Sequence, residues 1–422
     1  MEKFNTHVLK NGLRIIHVPS PTNVAYCGIA IDAGTRDENE SEHGIAHFCE
    51  HMMFKGTQKR KAWHILNRME LVGGDLNAYT NKEETVVYAA FLKEHLSRAV
   101  ELISDVVFNS VFPAHEMEKE AEVVADEFES YNDSPSELIF DQFENLIYKG
   151  HPLGHNILGT PERVRAYTPA DLLNFVNRLY TPQNTVFFVF GDFSFRQVVT
   201  VVERYCGKIS REEQLSDVPR NTHGDVFHGN KWRMPLPEYI PQSLTEYRST
   251  HQAHVMIGGR AYPAKDKRRI ALYLLNNILG GPGMNSRLNV SLREHHGLVY
   301  NVESSLTNYT DTGTFGIYFG CDAKDIDKCL RLVRKELDRL MDKPLTQRQL
   351  QASINQIKGQ IGVACDNFEN YALDMAKVFL HYNKFESVDE TFSLLSTLTP
   401  DALQQVAQEM FSPEKLSMII YR

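Results

Sequence analysis

Two histidines and a glutamate lie within five residues of one another near the N-terminus, in His47-Phe48-Cys49-Glu50-His51. On a helix, side chains four residues apart share one face, so the imidazole rings of His47 and His51 can reach a single ion. Neutral imidazole is a good zinc ligand, and a catalytic zinc typically has three protein ligands and one position open to water. Glu50 would then lie beside that water. The pattern therefore predicts the metal site of a hydrolase.

The flanking sequence predicts the helix that this site requires. Ser41 is a candidate N-cap with Glu42 in the first turn, and Gly56 is a candidate stop signal. The alternative is a core helix with a solvated histidine and glutamate edge, because a pattern with three fixed positions also recurs in unrelated proteins.

A third ligand has to come from another segment, and the run AHEMEKEAEVVADEFESYND predicts an acidic helix. Its carboxylates are Glu116, Glu118, Glu120, Glu122, Asp126, Glu127 and Glu129. Glu120 and Glu127 are seven residues apart on one helical face, so one can coordinate the ion while the other supports it. The alternative is a solvated acidic face.

The segment HFCEHMMFKGT, with a glutamate 76 positions after its second histidine and another seven residues earlier, resembles the pitrilysin/insulinase metallopeptidases. These enzymes carry the inverted HxxEH motif. The resemblance implies that His47, His51 and Glu127 bind one zinc ion per chain, that Glu50 is the general base and that Glu120 supports the ligands. It also implies peptide hydrolysis by an activated water, without a covalent enzyme intermediate.

Two further segments are similar to substrate-binding parts of that family. Asn77 and Ala78 match a strand that forms an exposed sheet edge and pairs with the substrate backbone; the alternative is an ordinary internal hairpin. Arg293 and Tyr300 match a pair seven residues apart. The resemblance implies that Arg293 binds a substrate carbonyl or carboxylate and that Tyr300 donates to the developing oxyanion.

The chain also repeats itself. TPADLLNFVNRLYTPQNTVFFVF, beginning at Thr168, aligns without a gap to TPDALQQVAQEMFSPEKLSMIIY, beginning at Thr399, and each reads as a helix, a turn and a closing strand. We predict an α+β fold built by tandem duplication. The N-terminal zinc-binding domain is expected at 1–218, a linker at 219–241, and a C-terminal domain without a metal motif at 242–422.

The family resemblance extends this picture. It implies two homologous domains, each an antiparallel sheet flanked by helices, that together form half of a clamshell chamber. A chain of 422 residues resembles the half-size branch, which includes the mitochondrial processing peptidase and bacterial relatives, so two chains are expected to complete the chamber. Because the zinc motif and the Arg/Tyr pair occur on one chain, we expect a homodimer.

Composition narrows the possible partners and location. The net charge is -9 and no long basic block is present, which disfavours nucleic acid and anionic membranes. No stretch approaches the roughly 20 apolar residues of a membrane span, no signal peptide is visible, and six cysteines lack CxxC pairing. We expect a soluble protein of the bacterial cytoplasm.

Three functions are compatible with these features. The first is a zinc endopeptidase that hydrolyses short or unfolded peptides inside an enclosed chamber. The second is a non-catalytic subunit of the same fold, although such proteins have usually lost part of the metal motif. The third is a zinc hydrolase that acts on something other than peptides.

Overall fold

The computed structural model describes residues 4–210, 233–248 and 250–422. Helices and two β-sheets make up this part of the chain, which confirms the predicted α+β class. Most of the predicted linker at 219–241 lies outside the described residues. At its described end, the guanidinium of Arg233 is buried and pairs with Asp32, Asp37 and Glu83.

Eleven strands form the two sheets of the described residues. The first sheet contains β1 (Asn5–Val8), β2 (Arg14–Pro19), β3 (Val24–Ile31), β4 (Asp75–Thr80), β5 (Thr85–Leu92) and β6 (Thr185–Gly191) in the order β1-β2-β6-β3-β5-β4. The second contains β7 (Ser243–Glu246), β8 (Ala253–Ala261), β9 (Val299–Asn308), β10 (Gly313–Cys321) and β11 (Ser417–Tyr421) in the order β7-β11-β8-β10-β9. Apart from β1, the two orders correspond strand by strand, as a duplication requires.

Each sheet differs in one respect from the antiparallel sheets that were expected. The closing strand of each half lies parallel to the first strand of the repeat, β6 beside β2 and β11 beside β7. Parallel pairing is possible because a long chain segment that includes helices separates the two strands. The other pairs are antiparallel.

Fourteen α-helices complete the described parts of the chain. They are α1 (Ile45–Met53), α2 (Ala62–Glu70), α3 (Leu96–Asn109), α4 (Ala114–Asn132), α5 (Pro135–Ile147), α6 (Pro161–Ala166), α7 (Pro169–Leu179), α8 (Phe195–Cys206), α9 (Arg269–Gly280), α10 (Ile326–Asp342), α11 (Gln347–Ala364), α12 (Phe368–Tyr382), α13 (Val388–Ser396) and α14 (Pro400–Met410). A π-helix spans Asn289–Glu294. Within the described ranges, no helix has the length and apolar character needed to cross a membrane.

The repeated closing segments have the structure that the sequence predicts. Helices α7 and α14 both begin with proline, and the Thr168 and Thr399 side chains accept hydrogen bonds from backbone N–H groups in their first turns. Strands β6 and β11 follow after short turns. The cap, the proline and the apolar strand thus recur at equivalent positions.

The chain folds into two compact units that differ from two contiguous halves. Unit 1 comprises Met1–Glu129, His155–Met234 and Cys365–Ser387, and unit 2 comprises Ser130–Gly154, Pro235–Ala364 and Val388–Arg422. Helix α12 of the second half therefore belongs to unit 1, and α5 of the first half belongs to unit 2. The predicted boundaries at 218 and 242 remain predictions about the repeat in the sequence.

Apolar packing explains this exchange of helices. In unit 1, Met375 and Phe379 of α12 pack on one face of the first sheet, against residues such as Phe188. In unit 2, Ile139 and Phe143 of α5 pack against the second sheet. Each sheet is thus covered on this face by a helix from the other half of the sequence, and on its opposite face by helices of its own half.

Candidate metal centre

Helix α1 carries three of the predicted site residues, and it begins later than the sequence predicts. Its N-cap is Gly44, so the predicted cap at Ser41 is wrong. Gly44 has φ of 87°, a region that favours glycine. The buried carboxylate of Glu38 accepts hydrogen bonds of 3.0 Å from the backbone N–H groups of Gly44 and Ala46. Glu38 thereby replaces an N-cap side chain and fixes the start of the helix.

The metal-ligand set meets between α1 and α4. His47 Nε2 and His51 Nε2 lie 3.9 and 3.6 Å from Oε2 of Glu127, and one ligand atom from each residue lies within 4.8 Å of the other two. Two ligands at zinc bonds of about 2.0–2.2 Å are at most about 4.4 Å apart. The three side chains therefore fit one small ion after minor adjustment.

The protonation of the two histidines also fits a metal site. Burial and the neighbouring His51 lower the pKa of His47 to about 3, so this imidazole is neutral at physiological pH. Burial lowers the pKa of His51, but the hydrogen bond that its ring donates to Glu120 and the carboxylates of Glu50 and Glu127 raise it by more, so the net shift is upward. The neutral ring of His47 can donate a lone pair to a metal ion. The carboxylates around His51 favour positive charge at the same place, so the site favours a bound cation.

Glu120 orients His51, and Lys55 holds Glu120. Glu120 Oε1 lies 3.0 Å from His51 Nδ1, which leaves Nε2 of that ring directed toward Glu127. The other carboxylate oxygen of Glu120 forms an ion pair with the Lys55 ammonium. Burial raises the pKa of Glu120, but His51 and Lys55 lower it by more, so this carboxylate stays ionised.

The Glu50 carboxyl lies beside the candidate ligand set in a half-buried position. Burial and the nearby carboxylate of Glu127 raise its pKa, while the charge of His51 and a hydrogen bond from Thr80 oppose this rise. Thr80 is the last residue of β4, and its hydroxyl lies 3.4 Å from that of Thr85. A base near the metal site with a raised pKa is suited to accept a proton.

Lys55 and Thr80 are supporting residues that were not predicted, although the position of each in the sequence gives a hint of its role. Lys55 follows His51 by four residues, which is one helical turn. Thr80 follows Ala78 by two residues, so both side chains lie on one face of the strand. The sequence spacing does not identify the partner of either residue, because Glu120 and Glu50 lie on other elements.

Strand β4 lies at the edge of the first sheet, beside α1. It pairs with β5 on one side, and among the described strands none lies on its other side. Asn77 is exposed and Ala78 is half-buried. The structure therefore provides the free strand edge that the sequence suggested, whereas substrate binding there remains a prediction.

Arg293 and Tyr300 lie together in unit 2. Arg293 belongs to the π-helix Asn289–Glu294, and its guanidinium carbon lies 5.7 Å from the centroid of the Tyr300 ring. Tyr300 is 82% exposed and is the second residue of β9, an edge strand of the second sheet. The two side chains form an accessible pair, and their catalytic roles remain predictions.

Comparisons with known proteins identify the family of the chain. The family model "Insulinase (Peptidase family M16)" matches residues 14–161, and "Peptidase M16 inactive domain" matches residues 166–357. The uncharacterized zinc protease YmxG of Bacillus subtilis (strain 168) is 30% identical over 410 residues, covering 97% of this chain and 96% of that protein. An uncharacterized zinc protease of Rickettsia felis is 29% identical, covering 99% and 98%.

A solved structure shares the fold. A protease from Helicobacter pylori superposes with a TM-score of 0.89 at 22% identity, covering 100% of both chains. The two family models together span most of the sequence, and the relatives align along nearly its full length. The chain therefore belongs to peptidase family M16, the insulinase family, in its half-size form.

Proposed function

We propose that this protein is a zinc-dependent endopeptidase. The observation that carries the proposal is the convergence of His47, His51 and Glu127, whose ligand atoms lie within 4.8 Å of one another, with Glu50 beside them. The names of the relatives, which call them zinc proteases, support the same chemistry.

Each residue of the site has a defined task in this mechanism. Zinc, when bound, supplies Lewis acidity toward water and toward a carbonyl oxygen. Glu50 accepts a proton from the attacking water and passes it to the leaving amine, and the burial that raises its pKa favours this proton transfer. Thr80 holds the carboxyl of Glu50, while Glu120 and Lys55 hold the ring of His51.

The free edge of β4 defines the proposed substrate class. Its unpaired backbone groups can bind a peptide as an added strand, a mode that depends on main-chain hydrogen bonds and tolerates many side chains. Only an extended peptide offers such a backbone, so we propose short or unfolded peptides as substrates, cleaved inside an enclosed chamber. Arg293 and Tyr300 are proposed to bind the substrate carbonyl and the oxyanion.

We also propose a homodimer in the bacterial cytoplasm. A second copy would supply the remaining half of the chamber, and one gene product would carry both the metal ligands and the Arg/Tyr pair. The location is supported by bacterial relatives and by six free thiols, which fit a reducing compartment.

The test is cleavage of a quenched mixed-sequence peptide library by the purified, zinc-loaded chain. Glu50→Gln should keep the metal and lose at least about 10²-fold in rate, because the carboxamide cannot accept the proton. A zinc chelator should abolish cleavage by the wild-type chain, and added zinc should restore it.

Glu118→Gln is the matched control, since it removes an exposed carboxylate from α4 near Glu120. It should leave the rate unchanged. Zinc bound without any cleavage would favour the non-catalytic subunit, and cleavage that survives both the chelator and Glu50→Gln would refute the assigned site.

A further inference from the structure

A second concave site lies in unit 2, on the side of the π-helix that faces α10. It is a cleft of about 460 Å³. Its lining residues are Asn285, Arg287, Val290, Ser291, His295, His296, Leu332, Lys335, Glu336 and Arg339. None of these residues belongs to the metal centre or to the pair Arg293 and Tyr300.

The charges in this cleft are unbalanced. Arg287, Lys335 and Arg339 contribute three positive charges, whereas Glu336 is the one acidic residue in the lining. Glu336 is buried, and its carboxylate already accepts a 2.5 Å hydrogen bond from Arg339. Arg287 and Lys335 are the other two cations, and the lining contains no second carboxylate to balance their charges.

Arg287 is a cation of the cleft whose charge is little compensated by other side chains. It is half-buried, and it forms no hydrogen bond or ion pair within the described parts of the chain. Burial lowers its pKa; the carboxylate of Glu336 opposes this effect, and the charge of Arg339 adds a smaller lowering. A guanidinium that is partly removed from water and placed near a second one is stabilised by any anion that enters the cleft.

The lining also indicates what kind of anion fits. Two guanidinium groups and one ammonium group suit a phosphate, which presents several acceptor oxygens and more than one negative charge. The cleft is much larger than a free phosphate ion, and Val290 and Leu332 add apolar surface to it. This surface suits a small organic group attached to the phosphate.

We propose that this cleft binds a small organic phosphate monoester through Arg287, Lys335 and Arg339. The inference does not depend on the proposed peptidase function. It concerns a site in unit 2 whose occupation can be measured whether or not the protein cleaves peptides.

The experiment is a phosphorus NMR titration of phenyl phosphate with the zinc-loaded full-length chain at constant ionic strength. We expect saturable binding of phenyl phosphate. It should be tighter than the binding of inorganic phosphate, because the cleft has apolar surface, and tighter than the binding of phenylacetate. The affinity of phenylacetate is measured by its competition with phenyl phosphate. Arg287→Gln and Lys335→Gln should each weaken binding about tenfold, since each removes one charged contact to the phosphate. Lys335 is exposed, so its variant tests the site without disturbing the core.

Two further variants separate a specific site from general attraction. Arg331→Gln removes an exposed cation from α10, one turn before Lys335 and outside the lining, and should change nothing. Glu336→Gln removes the single carboxylate of the cleft and should strengthen binding. A role of these residues in folding alone would not give changes of opposite sign.

Four results would overturn the proposal. These are the absence of saturable binding, an equal loss in Arg331→Gln and Arg287→Gln, binding of phenylacetate as tight as that of phenyl phosphate, and loss of binding when zinc is removed. The last result would place the phosphate at the metal centre instead.

Discussion

At the scale of single residues, the metal centre is a set of side chains that hold one another in place. Glu120 fixes the ring of His51, and Lys55 fixes Glu120. Such outer partners set the orientation and basicity of a ligand, and their loss typically weakens metal binding about 10–100-fold. Lys55 acts one contact further from the ion, so its effect should be smaller than that of Glu120.

We predict that Lys55→Met weakens zinc binding about 3- to 10-fold and that Glu120→Gln weakens it about 10- to 100-fold. Without the ammonium, Glu120 loses one of the two contacts that lower its pKa and the ion pair that fixes its carboxylate beside His51. Competition with a chromophoric zinc chelator measures these affinities directly and does not depend on activity.

Two control variants accompany this prediction. Lys55→Arg keeps a cation at the position and should retain most of the affinity. Lys119→Met removes an exposed cation from α4 and should have no effect. Equal affinities for Lys55→Met and the wild-type chain would show that the ion pair contributes nothing to the site.

The sequence pattern points to the candidate ligands more directly than to the side chains that support them. His47, Glu50 and His51 are encoded by local spacing on one helix, and Glu127 was identified from a family pattern. Lys55 and Thr80 act through contacts with residues of other elements. Contacts of this kind depend on tertiary packing, which residue spacing does not contain.

At the scale of elements, α12 is held to unit 1 by charge as well as by apolar packing. The buried His381 lies between two carboxylates, with Nε2 3.1 Å from Glu84 Oε2 and Nδ1 3.3 Å from Asp32 Oδ1. Lys377, one turn earlier, also pairs with Glu84 at 2.7 Å. A doubly paired imidazolium therefore joins the helix to the end of β3 and to the β4–β5 turn.

This arrangement predicts a specific dependence of stability on pH. Burial lowers the pKa of His381, but Asp32 and Glu84 raise it to about 9, above the usual 6.5. Protonation of His381 therefore stabilises the folded state fully below pH 6.5, and this stabilisation declines as the pH rises toward 9. The shift corresponds to about 3 kcal/mol at most.

Thermal unfolding at pH 6 and at pH 9.5 tests this prediction. His381→Gln should be much less stable than the wild-type chain at pH 6, because two buried carboxylates lose their shared cation. At pH 9.5 the difference should shrink. The exposed His64 provides the control, and His64→Gln should follow the wild-type chain at both values. A difference that does not change with pH would contradict a protonated His381.

The exchange of helices between the two units shows what local sequence patterns do not predict, namely the sheet on which a helix packs. The closing helix and strand of each half were predicted, because a proline start, an amphipathic repeat and an apolar strand are local features. The same periodicity in α12 predicts an amphipathic helix, but it does not specify the sheet that the apolar face covers. His381 and Lys377 likewise show no sign in the sequence of their partners near residues 32 and 84.

At the scale of the whole molecule, the proposed machinery is divided between the two compact units. The proposed metal ligands belong to unit 1, whereas Arg293 and Tyr300 belong to unit 2. Each chain contains both sets, so the proposed dimer can combine them within one chain or across two chains. We expect the second arrangement, in which the C-terminal half of one copy faces the zinc of its partner.

Complementation between two inactive variants distinguishes these arrangements. Glu50→Gln leaves Arg293 and Tyr300 intact, and Arg293→Gln leaves the metal centre intact. If one site uses both chains, co-expressed variants that reassort at random should recover about a quarter of wild-type activity, because half of the dimers contain one complete site. If each site lies within one chain, the mixture should stay as inactive as its parts. Sedimentation must first show dimers, since an active monomer at every concentration would exclude the proposal before the variants are mixed.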